Sequence, residues 1–120
     1  ASSRRAFGRP IGANQGVQLP LAAISAKLSA LKAYVLQVAE RFDRGESVEV
    51  DAMAAKYLGA EVAMESVSTA MRVFAGHGFL KGTTVERLVR EVWVLMAGPV
   101  TQEIALAYIA HRGLGLPSTL

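Results

Sequence analysis

Few residues in this 120-residue chain have types and spacing that suit chemistry, and the two histidines are the first to consider. His77 stands between Gly76 and Gly78 in a loop, where a histidine more often serves as a turn residue or helix C-cap than as a catalyst. His111 follows the last apolar stripe and is typical of a surface or packed histidine. With two histidines and no cysteine, the chain is not expected to hold a metal.

The acidic residues form no pair with the spacing of metal ligands or of an acid–base couple. Asp43, Glu46, Glu49 and Asp51 are interpreted as solvated turn and cap charges. The residue types alone therefore predict a helical protein with a sticky apolar face and no evident catalytic centre.

The composition suggests a partner but not nucleic acid. Hydrophobic residues make up 52% of the chain without counting glycine, whereas a typical soluble domain reaches about 45–50% with glycine included. The net charge is +3, but the basic residues are scattered, apart from Arg4, Arg5 and Arg9. The absence of cysteine fits a reducing compartment such as the cytoplasm. No apolar run approaches the roughly 20 residues of a membrane span, so no span is expected.

The elements that position these residues are predicted to be helices. Residues 1–16 contain several glycines and are interpreted as an irregular lead-in. From Val17 to Phe42 apolar residues recur in steps of 4 and 3, which is one face of a long helix, with Pro20 beginning or kinking it. The same rhythm predicts a second helix from about Val50 to Ala75, ended by Gly76 and Gly78.

The remaining chain is predicted to form two more helices. Thr83 and Glu86 have the capping-box spacing, so the third helix should begin near Thr84 and break at Gly98-Pro99. Pro99 then suits the first turn of a fourth helix that continues to Gly113. With no convincing alternating strand pattern, residues 1–120 are predicted to be one all-α domain, an antiparallel (up-down-up-down) four-helix bundle.

The order of short motifs resembles one enzyme family. The motifs are RRAFGRPI at residues 4–11, QGVQ at 15–18, DRG at 43–45, AAK at 54–56, FAGHGF at 74–79, VERLVRE at 85–91 and TQEI at 101–104. This ordered set is similar to the C-terminal helical domain of acyl-CoA dehydrogenases, the flavoenzymes that oxidise acyl-CoA thioesters to enoyl-CoA. The resemblance covers nearly the whole chain, from Arg4 to about Ile109.

The resemblance implies a set of FAD contacts. In such enzymes the R-x-x-F-G segment, the following glutamine and the F-G-G-x-G loop meet the FAD of the neighbouring subunit. Arg4 is then expected to grip the pyrophosphate in a bidentate fork, and Phe7 and Gln15 to contact the phosphate or adenine side. Gly76 would let the backbone approach the flavin nucleotide, with a plain C-cap as the alternative. Thr101 matches a position that touches FAD in relatives.

The chain departs from the family at two positions. Many relatives carry a catalytic glutamate in Y-E-G-T, which aligns here with Gly98-Pro99-Val100-Thr101. The glutamate position is therefore Pro99, which cannot accept a proton, and no catalytic residue is predicted. Some relatives carry the base on a helix that would precede residue 1. Arg72 stands where many relatives have a glutamine that contacts FAD; it either replaces that donor or marks a weakened site.

Length is the other departure, because the family's N-terminal helical domain and central β-domain have no counterpart in these 120 residues. In the family, a carboxylate takes the α-proton and a hydride passes to flavin N5. We expect this chain to contribute FAD contacts and oligomer surface to such an enzyme of fatty acid metabolism, without being active alone. The competing expectation is a non-catalytic interaction module or pseudoenzyme subunit of a mixed assembly. The expected partners are a second copy, as homodimer or homotetramer, or a flavoprotein chain.

Overall fold

The structure, a computed structural model, describes residues 1–119, about three quarters of which are helical. The elements in chain order are β1 (Arg5–Ala6), β2 (Arg9–Pro10), α1 (Gln15–Asp43), α2 (Glu49–Phe74), α3 (Thr84–Glu91), α4 (Trp93–Ala97) and α5 (Gln102–Tyr108). Short 3₁₀ segments cover Ile11–Ala13 and Ala75–Phe79, and a π-helical turn covers Ile109–Gly113. The predicted all-α class is confirmed.

The lead-in is more ordered than its glycines suggested. Strands β1 and β2 pair antiparallel, with Arg5 opposite Pro10 and Ala6 opposite Arg9. Phe7 and Gly8 form the turn, with φ of 50° and 80°, the positive values that a tight hairpin of this hand requires. The lead-in that was expected to be irregular therefore contains a short hairpin, which the sequence did not reveal because strands of two residues are too short to show an alternating pattern.

Helices α1 and α2 lie antiparallel and form the long body of the molecule. The Lys27 ammonium meets the Glu65 carboxylate at 2.6 Å, and near the connecting turn Arg41 meets Asp51 at 2.7 Å. Tyr34 donates from its hydroxyl to the other oxygen of Asp51 at 3.0 Å. Both helices begin and end within about two residues of the predicted bounds, because each stripe of apolar residues is long and regular.

Helix α2 is the shared neighbour of the other helices, since it contacts α1, α3, α4 and α5. The buried apolar side chains are small: Ile24, Val38, Val48, Ala60, Val62, Val85, Val92 and Ala105. None of the large side chains in residues 1–119 is fully buried, and the molecule measures 57 × 26 × 24 Å. The apolar surplus in the composition therefore lies on the surface of a thin, elongated body.

The third and fourth predicted helices differ from expectation in their detail. Helix α3 begins at Thr84 as predicted, with the Thr83 hydroxyl accepting the Glu86 N–H at 3.3 Å. A break at Val92 separates it from α4. The prediction that Pro99 opens the fourth helix was wrong: the Gly98–Pro99 bond is cis, and α5 begins only after Thr101. Helix α5 begins where its N-cap residue stands, because Thr101 has the hydroxyl that can accept a hydrogen bond from the first turn of a helix.

Two stretches, Gln15–Asp43 and Thr84–Gly113, are long and apolar enough to cross a membrane by length and composition alone. The core helices of helical domains pass the same test. The first stretch also carries Lys27 within its length, paired with an acid of α2. The expected absence of a membrane span therefore stays a prediction.

Candidate cofactor-contact site

Arg4 ties the lead-in to the C-terminal end of α2. Its Nη1 donates a long hydrogen bond of 3.4 Å to the carbonyl oxygen of Phe74. Beside it lies a groove of about 460 Å³, lined by Ala1, Ser3, Arg4, Ile11, Val73, Phe74 and His77. Its apolar floor and its polar edge, formed by Arg4 and His77, suit a ligand that joins an anion to a flat apolar group.

A second, smaller cavity of about 150 Å³ adjoins this groove through the shared residue Val73. It is lined by Gly16, Val17, Pro20, Thr69, Arg72 and Val73. Gln15 is exposed and directly precedes Gly16 at the start of α1. The fold therefore brings Arg4, Arg72 and Gln15, three of the predicted contact residues, to one end of the molecule.

This end is rich in unpaired positive charge. Arg5 donates to the carbonyl oxygen of Gly8 and Arg9 to the side-chain oxygen of Asn14, so both stay close to the hairpin. None of the ion pairs within residues 1–119 involves Arg4, Arg5, Arg9 or Arg72. Guanidinium groups without an acidic partner are suited to bind phosphate.

In the loop after α2, the residues with special backbone or packing requirements are not the one that the sequence predicted. A Cβ added at Gly76 would meet no heavy atom within 4 Å, so the fold itself does not need a glycine there. A Cβ at Gly78 would lie 2.8 Å from the sulfur of Met71, so Gly78 is the closely packed glycine. Ala75, not Gly76, is the C-cap, and its φ of 50° and ψ of −134° are values that normally require glycine.

Ala75 was given no role by the sequence analysis, and Gly78 was predicted only to help end the helix, not to be closely packed. The signal for Ala75 was present in the motif, because F-A-G-H-G has alanine where the family pattern F-G-G-x-G has glycine. Phe7, which was predicted, lies at the hairpin tip and is fully exposed, at 103% of its reference area. Its ring is therefore available to another molecule, since nothing in residues 1–119 covers it.

Thr101 lies away from the arginine cluster. Its hydroxyl caps α5 by accepting the Ile104 N–H at 3.3 Å, and its neighbour Gln102 donates to the carbonyl oxygen of Tyr57 at 3.1 Å. Tyr57 and Phe74 are separated along α2 by about 25 Å, at 1.5 Å per helical residue. Within one chain, Thr101 and Arg4 therefore do not share a site.

Pro99, at the position of the family's glutamate, is exposed, and no acid replaces it. Glu103 is the next carboxylate along the chain, and it lies on the exposed face of α5. Its own backbone N–H, followed by the Thr101 hydroxyl, holds the pKa of Glu103 below its ordinary value. A carboxylate held in the ionised form by its helix cap is poorly suited to act as a tuned base.

Comparison with known proteins shows which family the chain belongs to. A family model described as acyl-CoA dehydrogenase, C-terminal domain, matches residues 1–114. The 3-(aryl)acrylate reductase of Clostridium sporogenes is 37% identical over 112 residues, which are 93% of this chain and 30% of that protein.

Solved structures agree with this assignment. The FAD complex of PigA has a TM-score of 0.91 and 26% identity over 97% of this chain and 30% of its own. A chain in the ChsE4–ChsE5 complex of Mycobacterium tuberculosis has a TM-score of 0.87 and 31% identity, covering 98% of this chain and 32% of its own. This chain thus spans about a third of the length of these proteins. It belongs to the acyl-CoA dehydrogenase family and corresponds to the C-terminal helical domain.

Proposed function

We propose that this chain serves as the C-terminal domain of a cytoplasmic, flavin-dependent acyl-CoA dehydrogenase-like oxidoreductase of fatty acid metabolism. It contributes FAD contacts and an association surface, for a homodimer, a homotetramer or a flavoprotein partner chain. The single observation that carries the proposal is the end of the molecule where Arg4 and Arg72, which have no acidic partner among residues 1–119, flank Val73 beside the open Gly76.

The residues at this end fit part of a flavin dinucleotide. Arg4 and Arg72 provide charge for a pyrophosphate, and the apolar floor of the groove suits the adenosine half. Gly76 leaves room for a close approach to the backbone, and the side chains of Gln15 and Phe7 are exposed. FAD, when bound, supplies the hydride acceptor for α,β-dehydrogenation of an acyl-CoA thioester.

Thr101 belongs to the proposal in a separate role. Because it lies about 25 Å along α2 from the arginine cluster, it would contact a different part of the cofactor or a different cofactor molecule. Its hydroxyl already accepts the Ile104 N–H and donates to the Glu103 carboxylate, so a cofactor contact would use its remaining acceptor lone pair or replace the bond to Glu103.

Binding of ADP, which carries the adenosine and pyrophosphate of FAD, tests the proposal. Titration calorimetry of the chain should show saturable ADP binding. Arg4→Gln and Arg72→Gln should each weaken it about tenfold or more, since each removes a charge-assisted contact. Arg87→Gln, on the exposed face of α3, is the matched control and should change nothing. Absence of ADP binding, or equal affinity in Arg4→Gln and in the control, would refute the assignment of this site.

Catalysis by the chain alone is not part of the proposal, because no carboxylate replaces the glutamate at Pro99. Purified chain supplied with FAD and an acyl-CoA should not reduce an electron-acceptor dye. Steady dye reduction that depends on acyl-CoA would show that the chain contains a base after all.

The second candidate is a non-catalytic interaction module or pseudoenzyme subunit of a mixed acyl-CoA dehydrogenase assembly. Pro99 favours it, because a subunit that lends only surface needs no base. The ADP titration separates the two candidates: the module alone requires no nucleotide binding, whereas the cofactor-contact domain does.

A further inference from the structure

Lys56, the last residue of the AAK motif, is a half-buried charged group that the proposed function does not use. None of the ion pairs within residues 1–119 involves it. Its ammonium donates instead to the side-chain oxygen of Gln102, the first residue of α5, at 2.5 Å. The lysine on α2 is therefore directed at the start of another helix rather than at an acid.

The side-chain amide of Gln102 is held at both of its ends. Gln102 is only 5% exposed. Its Nε2 donates to the carbonyl oxygen of Tyr57 at 3.1 Å and to Oε1 of Glu61 at 3.3 Å. The reverse orientation would place the NH₂ group against the Lys56 ammonium and the amide oxygen against two acceptors, so only one orientation satisfies all the partners.

The other buried residue of α5 cannot fix the helix in the same way. Ala105 lies three residues after Gln102, on the same face of the helix, and is completely buried. Its methyl group packs without a preferred direction, so it does not set where α5 begins along α2. The preceding residues 98–101 belong to no helix or strand. The position of the start of α5 therefore depends on the hydrogen bonds of Gln102.

Thr101 directly precedes Gln102 and is the N-cap of α5. Because one planar peptide bond joins the two residues, whatever fixes Gln102 also fixes Thr101. We propose that Lys56, acting through Gln102, is the positioning residue that holds the Thr101 hydroxyl for contact with the flavin cofactor. The proposal rests on the proposed function, in which Thr101 contacts a part of the cofactor remote from the arginine cluster.

Glu103 provides a second link between Lys56 and the cap. The backbone N–H of Glu103, then the Thr101 hydroxyl and, to a smaller extent, the charge of Lys56 hold the pKa of Glu103 below its ordinary value. The carboxylate that accepts the Thr101 hydroxyl is thus also attracted by the lysine. Lys56 acts on the start of α5 through a hydrogen bond and through its charge.

Amide hydrogen exchange followed by NMR tests this positioning directly, because the Ile104 N–H donates the capping bond to Thr101 at 3.3 Å. Lys56→Met keeps an unbranched side chain but removes the charge and the donors. It leaves the buried oxygen of Gln102 without a donor. Exchange of the Ile104 amide should therefore become about tenfold faster or more, as expected for loss of a hydrogen bond from a charged group.

The cap of α3 is a matched reference within the same molecule. The Glu86 N–H donates to the Thr83 hydroxyl at the same distance, 3.3 Å. A general loss of stability would speed exchange of both amides, whereas loss of positioning should speed that of Ile104 alone. Lys32→Met removes an exposed lysine from α1 and should change neither amide.

A double variant tests whether Lys56 acts through Gln102. In a chain that already carries Gln102→Met, Lys56→Met should change the exchange of the Ile104 amide no further, since its acceptor is gone. Full additivity of the two substitutions would overturn the route through Gln102.

Titration with FMN, the half of FAD that ADP lacks, tests what the positioning is for. Fluorescence of the flavin should report saturable binding to the unmodified chain. Lys56→Met should weaken FMN binding by about the same factor as Thr101→Ala does. Binding of ADP should be unchanged in Lys56→Met, because the arginine cluster lies at the other end of α2.

The outcomes separate this proposal from the proposed function. Unchanged exchange of the Ile104 amide in Lys56→Met, or a change equal to that of Glu86, would overturn the positioning role. FMN binding that Thr101→Ala weakens and Lys56→Met does not would overturn it as well, while leaving the cofactor contact of Thr101 intact. Absence of FMN binding, or FMN binding unaffected by Thr101→Ala, would refute that cofactor contact and with it the purpose assigned to Lys56.

Discussion

Replacing Ala75 by glycine should stabilise the protein. Ala75 has φ of 50° and ψ of −134°, the mirror image of an extended conformation, in which the Cβ of an L-residue crowds its own backbone. Such outliers cost of order 1–3 kcal/mol. Glycine removes the clash but adds about 0.5–1 kcal/mol of unfolded-state entropy. The net expectation is a gain of about 1 kcal/mol in the free energy of unfolding.

Urea unfolding monitored by circular dichroism measures this change, and thermal unfolding should rise by about 4 °C. The matched control is Ala23→Gly in the exposed middle of α1, where the same substitution should cost about 1 kcal/mol. The two substitutions are chemically identical, so their opposite signs depend only on the local backbone. If Ala75→Gly destabilised the protein as much as Ala23→Gly does, the strain at the end of α2 would be disproved.

Three further predictions concern the loop, the cap and pH. Gly78→Ala should cost about 1–3 kcal/mol in urea unfolding, since the new Cβ would lie 2.8 Å from the sulfur of Met71; a neutral result would contradict that packing. Thr101→Ala should cost about 1 kcal/mol by loss of the α5 cap, whereas Thr101→Ser should keep most of it. Hydrogen bonds from Arg41, and to a smaller extent from Arg44, hold the pKa of Glu46 below its ordinary value. The ionised Glu46 carboxylate therefore contributes to the free energy of unfolding above its pKa in the unfolded chain. This contribution is lost as the pH falls through the lower pKa of the folded protein, so Glu46→Gln should flatten the acid side of a plot of thermal midpoint against pH.

The long helices were predictable because their signal is repeated many times. The stripe from Val17 to Phe42 alone nearly fixes the bounds of α1, and the Thr83 capping pair fixes the start of α3 within a residue. Features that depend on a single residue were not predictable in the same way. The start of α5 was misplaced because Pro99 and Thr101 both suit a helix start, and only the three-dimensional path of the chain chooses between them.

The site shows the same division. The sequence indicated Arg4, Arg72 and Gln15 through motif order, but their proximity depends on the hairpin folding back onto the end of α2. The sequence did not indicate that Thr101 lies far from these three residues, because residues that touch one cofactor in an assembled enzyme need not lie together in one subunit. Gly78 and Ala75 could not be ranked against Gly76 without the backbone angles, since the three small residues lie within four positions of one loop.

The position of α2 among the other helices has a consequence for how the protein opens. Each of α1, α3, α4 and α5 packs on α2, so any of them can detach without exposing the whole of it. Amide hydrogens of α2 should therefore be the last to exchange with deuterated solvent, and those of the short C-terminal helices among the first. A ligand that grips the end of α2 would slow that exchange along its full length, which gives a distant, label-free signal of binding.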